Sequence, residues 1–278
     1  MKNGLYIVAT PIGNLGDMSP RAVETLKAAG IIACEDTRVT KKLFSLMGIG
    51  LNKTFITLHD HNEEVQSQKI IDFIKNGEVV AQVSDAGSPL ISDPGFKLIR
   101  RCREEGLYIT TLPGCCALIC ALQLSGLPTN RFMFAGFIPN REKARQDLFR
   151  RYKNLDATLI FYETASRIVK TLTAAEEIFG GRDMAVAREI TKMYEDCRSG
   201  TAAELIAHFE ANEPKGEMVL MIAPSDEELP ADIDVEALLR EKMAETSLKS
   251  AVKSLVETYG LNKNEVYEQA LRIKNEQR

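Results

Sequence analysis

The residues with the most chemical character in this chain gather in one run, VSDAGSPLISDPG, from Val83 to Gly95. Aspartate and serine oxygens can hydrogen-bond a ligand. Glycines let a backbone approach it closely, and the N-terminus of a following helix offers unpaired N–H groups. Four other polar runs follow short apolar stretches in the same way: TPIGNLGDMSP (Thr10 to Pro20), EDTR (Glu35 to Arg38), HDHNE (His59 to Glu63) and LPGCCA (Leu112 to Ala117). The first is not a dinucleotide fingerprint, because Gly13 and Gly16 lack the G-x-G start. Nor is it a phosphate loop, since no Gly-Lys-Ser/Thr follows. Taken alone it reads as a strand-to-helix turn capped by Asp17 or Ser19. His59 and His61 flank Asp60, but no further ligand set of metal spacing accompanies them, so no metal is assigned. They read instead as contacts to substrate or as part of a cap on the next helix through Asn62. Asp36 and Arg38 are placed either to pair with each other or to meet substrate.

The elements that must position these runs alternate. Leu5 to Ala9, Ile31 to Cys34, Thr54 to Leu58, Val79 to Val83 and Tyr108 to Thr111 are strand-like. Helices start at Ser19-Pro20, after EDTR, at Asn62 and after the Val83 to Gly95 run, where Ser92 or Asp93 is the expected N-cap and Pro94 the first helical residue. An apolar helix is expected over Cys115 to Leu124. Such alternation implies a largely parallel sheet covered on both faces, whose strand ends bring all these loops to one edge. After LSGLPTNR (Leu124 to Arg131) the alternation resumes with strands at Phe132 to Ala135, Thr158 to Tyr162, Met184 to Arg188 and Glu217 to Ile222, in a sheet that could be mixed. Pro224 to Asp234 reads as an acidic linker, and Ser247 to Ile273 as two amphipathic helices around Tyr259-Gly260-Leu261-Asn262, a helix-turn-helix pattern. The expected organisation is an N-terminal α/β domain (1–125), a second α/β domain (126–224) and a helical appendage (235–278).

With 278 residues, 45% of them hydrophobic and 27% charged, the composition is that of a soluble globular protein. No apolar run is long enough to span a membrane, and MKNGLYIVAT enters a strand too quickly for a signal peptide, so a cytoplasmic location is expected. The six cysteines show no paired zinc spacing and read as small buried apolar residues. A formal net charge of −4 argues against indiscriminate nucleic-acid binding but leaves room for a local basic face. Basic residues cluster at REKARQDLFRRYK (Arg141 to Lys153), six basic against two acidic, with smaller clusters at Arg38, Lys41 and Lys42 and at Lys97, Arg100, Arg101 and Arg103. They read as solvated helix faces or, where they share a face with the cleft that the strand-end loops form, as a track for a phosphate backbone, and periodicity does not decide between the two.

Together, VATPIGNLGD, ACEDTR, HNE, VSDAGSPLISDPG, LPGCCALICALQLSGLPTNRFMFAGFIP, FYETASRI, REITKMYE and KGE resemble, in order and spacing, the bacterial 16S ribosomal RNA cytidine 2'-O-methyltransferases of the tetrapyrrole methylase superfamily. The resemblance covers residues 4 to about 222, and the last helices resemble that family's helix-turn-helix appendage. It implies two α/β domains with a cleft between them, S-adenosylmethionine as cofactor, a homodimer, and a cytidine in the decoding centre of 16S ribosomal RNA in the small subunit as substrate. On matching positions it assigns Pro11, Asp85, Ala86, Gly87, Ile91, Ser92 and Ala117 to the cofactor. Tyr162, Met193, Gly216, Glu217 and Met218 would close over it from the second domain. Asn14, Asp36, Arg38, His59, Asn62 and Arg188 are the substrate-binding candidates. The chain departs from the family pattern at Cys115-Cys116, at Ala165-Ser166 and at Val39.

Methyl transfer to a ribose hydroxyl is an in-line displacement in which the hydroxyl is the weak partner, needing orientation and help in losing its proton. Glu35, Asp36, Glu189, Lys192 and Glu195 are candidates for that help. The rival readings are a tetrapyrrole small-molecule methylase, whose usual first loop is Gly-Pro-Gly-Asp-Pro rather than IGNLGD, and a non-catalytic RNA-binding or assembly factor.

Overall fold

The computed structural model describes residues 1–59, 61–225, 234–259, 261 and 263–276. Asp60 of the HDHNE run, residues 226–233 of the linker, and Gly260 and Asn262 of the last turn lie outside the described residues. The chain divides into two compact units, Met1–Cys120 with Glu189–Glu195, and Ala121–Arg188 with Asp196–Arg278.

The first unit holds a five-stranded sheet, wholly parallel, built from β1 (Gly4–Val8), β2 (Ile31–Cys34), β3 (Thr54–Thr57), β4 (Val79–Val83) and β5 (Ile109–Leu112) in the order β3-β2-β4-β1-β5. Successive side chains on a strand point to opposite faces, and the sequence is apolar on both. Tyr6, Val8, Ile32, Cys34, Ala81 and Val83 pack with Leu26 of α1 (Pro20–Ala28) and Phe44 of α2 (Thr37–Leu46). Leu5, Ile31, Ala33 and Val80 pack with Ile70, Ile71 and Ile74 of α3 (Glu63–Lys75) and with Leu98 and Cys102 of α4 (Phe96–Glu104). Burying each such Leu or Ile contributes about 1.5–3 kcal/mol. Crossover helices thus cover both faces and leave the carboxyl edge of the strands to the loops.

Capping explains where these helices begin. Ser19 Oγ accepts from the Ala22 N–H and Pro20 is the first residue of α1. Asp36 caps α2 by accepting from the Arg38 N–H at 2.8 Å. The start of α4 differs from expectation: its N-cap is Gly95, at φ 130°, and neither Ser92 nor Asp93 caps it. The missing acceptor comes from another helix. Glu63, at the start of α3 and only 4% exposed, accepts from the Lys97 and Leu98 N–H groups at 2.7 and 3.1 Å. Asn62 also departs from expectation. It precedes α3, but its side chain makes no bond to that helix. It accepts from the His59 N–H and donates to the Thr57 carbonyl, closing the turn after β3.

The chain enters the second unit through α5 (Ala117–Ser125). Its sheet is mixed, in the order β6-β7-β10-β8-β9, with β6 (Phe132–Phe137) parallel to β7 (Thr158–Thr164) and every other pairing antiparallel. The edge strand β9 (Asp196–Gly200), paired with β8 (Met184–Arg188), is absent from the sequence reading because DCRSG carries no apolar alternation. Leu159, Phe161, Val186, Leu220 and Ile222 pack with residues of α6 (Glu142–Tyr152), α7 (Ile168–Phe179) and α8 (Ala202–Ala211). A capping box between Thr201 and Glu204 starts α8. After β10 (Glu217–Ile222), the helices α9 (Val235–Glu245), α10 (Leu248–Tyr259) and α11 (Lys263–Glu276) enclose a small core of their own around Leu239, Val252, Leu255, Val266 and Ile273.

All six cysteines are free. Cys34 and Cys102 are buried, as expected for small apolar side chains, but Cys115, Cys116, Cys120 and Cys197 are half-exposed. Two of these, Cys115 and Cys116, fall on the loop after β5 rather than in a helix interior, and Cys197 falls on the edge strand β9.

Candidate active site

In the first unit, hydrogen bonds join the loops at the carboxyl edge of the sheet. Thr10, after β1, and Gly87, after β4, exchange both backbone bonds at 2.9 and 3.1 Å, while the Thr10 hydroxyl donates to the Ser84 carbonyl. Ser88 Oγ donates to the Cys115 carbonyl, joining the β4 loop to the β5 loop. Asp85 Oδ1 accepts from the Asp36 N–H at 3.1 Å, which brings in the β2 loop. Gly114 lies so close to β1 that a Cβ there would come within 2.7 Å of Ala9 Cβ. Gly87 has φ 85°, a conformation strained for any other residue, and an added Cβ would press on Ile12 at 3.3 Å.

Pro11, Asp85, Ala86, Gly87, Ile91 and Ser92 therefore belong to one connected set of loops, and Ala117 opens α5 two residues after Cys115. Leu90 and Ser92 sit at φ 73° and 67° without being glycine, backbone strain of the kind that clusters at ligand sites. Ile91 between them exposes an apolar side chain.

The segment Glu189–Glu195, which follows β8, belongs to this first unit. It has the same kind of strain, with Glu189 at φ 48° and Thr191 at 66°. Glu195 accepts from the Thr191 N–H at 2.6 Å and Lys192 pairs with Glu189 at 2.9 Å. Gly13 explains how the segment is held: a Cβ there would come within 2.4 Å of Lys192 Cγ and 2.8 Å of Thr191 Oγ1. The first loop thus makes room for chain. Met193 and Tyr194, 89% and 68% exposed, present large side chains from this segment.

The acids of the site differ in character. Asp36 holds Arg38 through both carboxylate oxygens, and that guanidinium together with the Arg38 N–H lowers its pKa to about 2. Asp85 and Asp93 shift the other way, raised chiefly by burial; the Ser84 hydroxyl bonded to Asp93 opposes its shift. Asn14 is occupied locally, its Oδ1 accepting from Gly16 N–H in a short turn at Leu15–Asp17. Arg38 is exposed but engaged with Asp36, and His59 is exposed beside the Asn62 turn. Among the described residues, no three His, Cys, Asp or Glu side chains converge as a metal site.

The remaining candidates lie in the second unit. Tyr162 on β7 faces Val219 on β10 in register, next to the Glu163–Met218 pair, so Tyr162 and 216–218 are neighbours across two strands. Met218 turns its side chain into the buried core, leaving only its backbone available to a ligand. Arg188 is half-buried, and its Nε has no hydrogen-bond partner. Glu163 was not singled out by sequence, yet its buried carboxylate accepts from Arg167 Nε, from the Thr171 hydroxyl and from the Thr164 N–H, each at 2.7 Å. Its spacing from Arg167 within FYETASR was the available signal, an i, i+4 acid–base pair. Beside it, Thr164, Ser166, Val169, Phe209, Lys215 and Gly216 are among the residues lining an open cavity of about 470 Å³.

Comparison with known proteins adds independent findings. Residues 4–206 match the family model described as Tetrapyrrole (Corrin/Porphyrin) Methylases, and residues 227–274 match the RsmI C-terminal HTH domain. The chain is 48% identical to the ribosomal RNA small subunit methyltransferase I of Erythrobacter litoralis (strain HTCC2594), covering 98% of this chain and 95% of that protein. It is 43% identical to the protein of the same name from Escherichia coli O157:H7, covering 96% and 94%. Among solved structures it is similar to the uroporphyrin-III C-methyltransferase of Thermus thermophilus complexed with S-adenosyl homocysteine, with a TM-score of 0.52 at 14% identity over 78% of this chain and 96% of that one.

Proposed function

We propose, for a chain that belongs to the tetrapyrrole methylase family and is, over nearly its whole length, a ribosomal RNA small subunit methyltransferase, that it methylates the 2'-hydroxyl of a cytidine in the decoding centre of 16S ribosomal RNA. S-adenosylmethionine supplies an electrophilic methyl group on a sulfonium that leaves without acid assistance. The enzyme is taken to act in the cytoplasm as a homodimer, with the three-part organisation 1–125, 126–224 and 235–278.

The observation that carries this reading is the joined loop edge of the parallel sheet, where the Thr10–Gly87, Ser88–Cys115 and Asp36–Asp85 bonds hold an exposed, strained backbone in place. Its chemistry suits the cofactor. Pro11, Ile91 and Ala117 offer apolar surface for an adenosine, Gly87 keeps the backbone open, and Asp85 and Ser92 offer polar groups for ribose or amino-acid atoms. For Tyr162, Met193 and 216–218 a cofactor role is what the family resemblance implies, with Met218 limited to its backbone because its side chain is buried.

The RNA hydroxyl must be oriented and relieved of a proton. Asp36 suits the first task better than the second. A carboxylate with a pKa of about 2 is a weak base, and its oxygens already serve Arg38 and the α2 N-terminus. Proton acceptance is left to Glu35 and to Glu189, Lys192 and Glu195 of the strained segment. Arg38, exposed though paired with Asp36, and half-buried Arg188 are the candidates for an RNA phosphate.

The test is methylation of small subunits from a strain lacking this activity, with 2'-O-methylcytidine mapped by mass spectrometry. Methyl incorporation confined to that cytidine is expected, and incorporation elsewhere overturns the substrate. Calorimetry with S-adenosylmethionine isolates the cofactor step. No binding to the purified chain would remove the enzyme reading and leave an assembly factor.

A further inference from the structure

We infer that the exposed face of α6 is a second RNA contact surface that grips the phosphate backbone and takes no part in holding the methyl donor. The inference rests on the ribosomal RNA reading above and adds a further part of the chain that holds the substrate.

The basic clusters of this chain are not alike. On α4, Arg100 pairs with Glu104, and Arg101 donates to Gln68 and to the Glu64 carbonyl, while neighbouring Glu105 takes Lys75. That face is largely neutralised within the protein. On α6 and its ends, Arg141, Lys143, Arg151 and Lys153 are exposed and, among the described residues, form no ion pair. Among the described residues Arg150 alone has an acidic partner there, Asp147 at 3.4 Å, with both side chains well exposed. Lys143, Asp147, Arg150 and Arg151 fall at spacings of four, seven and eight residues, so they share one helix face. Glu177 of α7, which accepts from Gln146, bounds the surface on one side.

Helix stability does not account for this arrangement. Cations in the last turn complement the helix dipole, which explains Arg150, Arg151 and Lys153. Arg141 is the N-cap and Lys143 lies in the first turn, where positive charge is disfavoured. Six basic residues against Glu142 and Asp147 leave the helix with an excess of exposed positive charge, and Arg141, Lys143, Arg151 and Lys153 have no ion-pair partner among the described residues, which suits an external polyanion. The neighbouring α10, which packs against α6 in the same unit, also carries an exposed lysine, Lys249. RNA is the polyanion this chain acts on, and phosphate contacts of this kind position a substrate without reading its sequence.

The experiment compares the full chain with a variant carrying Lys143→Glu, Arg151→Glu and Lys153→Glu, measuring binding to unmethylated small subunits across salt concentrations. Loss of three phosphate contacts should flatten the plot of log affinity against log salt by about two to three units of slope, and weaken binding roughly tenfold or more near 0.1 M salt. KM for the subunit should rise while kcat at saturation and S-adenosylmethionine affinity stay unchanged. A control with Lys69→Glu, Lys75→Glu and Arg103→Glu changes net charge equally on the other unit and should retain the wild-type slope. Equal slopes for wild type and the α6 variant overturn the inference even where the wild type methylates normally. So does a variant that keeps its RNA affinity but loses retention on anionic phospholipid vesicles. A wild-type chain that neither binds nor methylates small subunits removes the ribosomal RNA reading, and this inference with it.

Discussion

Gly87 occupies a left-handed φ of 85° at the point where the first and fourth loops bond to each other. A side chain there meets both conformational strain of about 1–3 kcal/mol and the Ile12 methyl. Gly87→Val should therefore weaken S-adenosylmethionine binding roughly tenfold or more, since 1.4 kcal/mol is a factor of ten. Calorimetry with full-length protein checks this, and unchanged affinity counts against the site. Asp93 gives a prediction of opposite sign. Burial raises its pKa, so folding favours the protonated acid. That contribution is complete below the unfolded value of about 3.9 and is lost as pH rises through the raised folded value. Asp93→Asn keeps an acceptor for the Ser84 hydroxyl and removes the buried charge. Its Tm should exceed that of the wild type at pH 7, and the two should converge below about pH 4 in calorimetric scans. The identity of these residues was legible in the sequence. The Asp36–Arg38 pairing behind the lowered pKa was one of the two readings the spacing allowed, whereas the raised pKa of Asp93 was not legible, because burial is set by distant neighbours.

At the level of elements, α4 begins without a cap of its own, and the buried carboxylate of Glu63 supplies one from α3. This ties the end of the Val83 to Gly95 run to the turn after β3. Glu63→Ala would leave the Lys97 and Leu98 N–H groups without their acceptor and should cost about 1–3 kcal/mol in urea unfolding. Glu63→Gln retains an acceptor and should lose less. An Ala variant as stable as wild type would show that water or another side chain replaces the carboxylate. Sequence could place Glu63 in the HNE motif but read the local pattern alone, and so put the cap at Ser92 or Asp93. Asn62 was assigned to its own helix for the same reason. Local pattern did succeed where the bonding partners are local, as for Ser19-Pro20 at the start of α1 and Asp36 at the start of α2.

Across the whole molecule, two features depend on long-range packing. Glu189–Glu195 lies between two strands of the second sheet yet folds with the first unit, where Gly13 makes space for Thr191 and Lys192. The last three helices have a core of their own around Leu239, Leu255 and Ile273. Burying a charge in that core is costly, so Leu255→Asp should expose α9 to α11 to limited proteolysis. Affinity for S-adenosylmethionine should be unchanged, because the proposed cofactor residues lie outside these helices. Loss of that affinity in the same variant would show the helices to be coupled to the cofactor site.

The sequence by itself determined the alternating α/β architecture, the two families of strands, the helical end and the loops that gather at the first sheet's edge. Apolar periodicity and turn chemistry act over a few residues and can be read residue by residue. Its motifs also carried the family resemblance that comparison with known proteins bears out. Only the tertiary structure decided that Glu63 caps α4, that Glu189–Glu195 joins the first unit, that DCRSG forms an edge strand and that Met218 faces the core. Each depends on a partner far away in the chain, and such pairings are selected by packing and by the need to satisfy buried polar groups. The same holds for the run from Val83 to Gly95: its composition marked it as a site, and its bonds to Thr10, Asp36 and Cys115 give it a fixed shape.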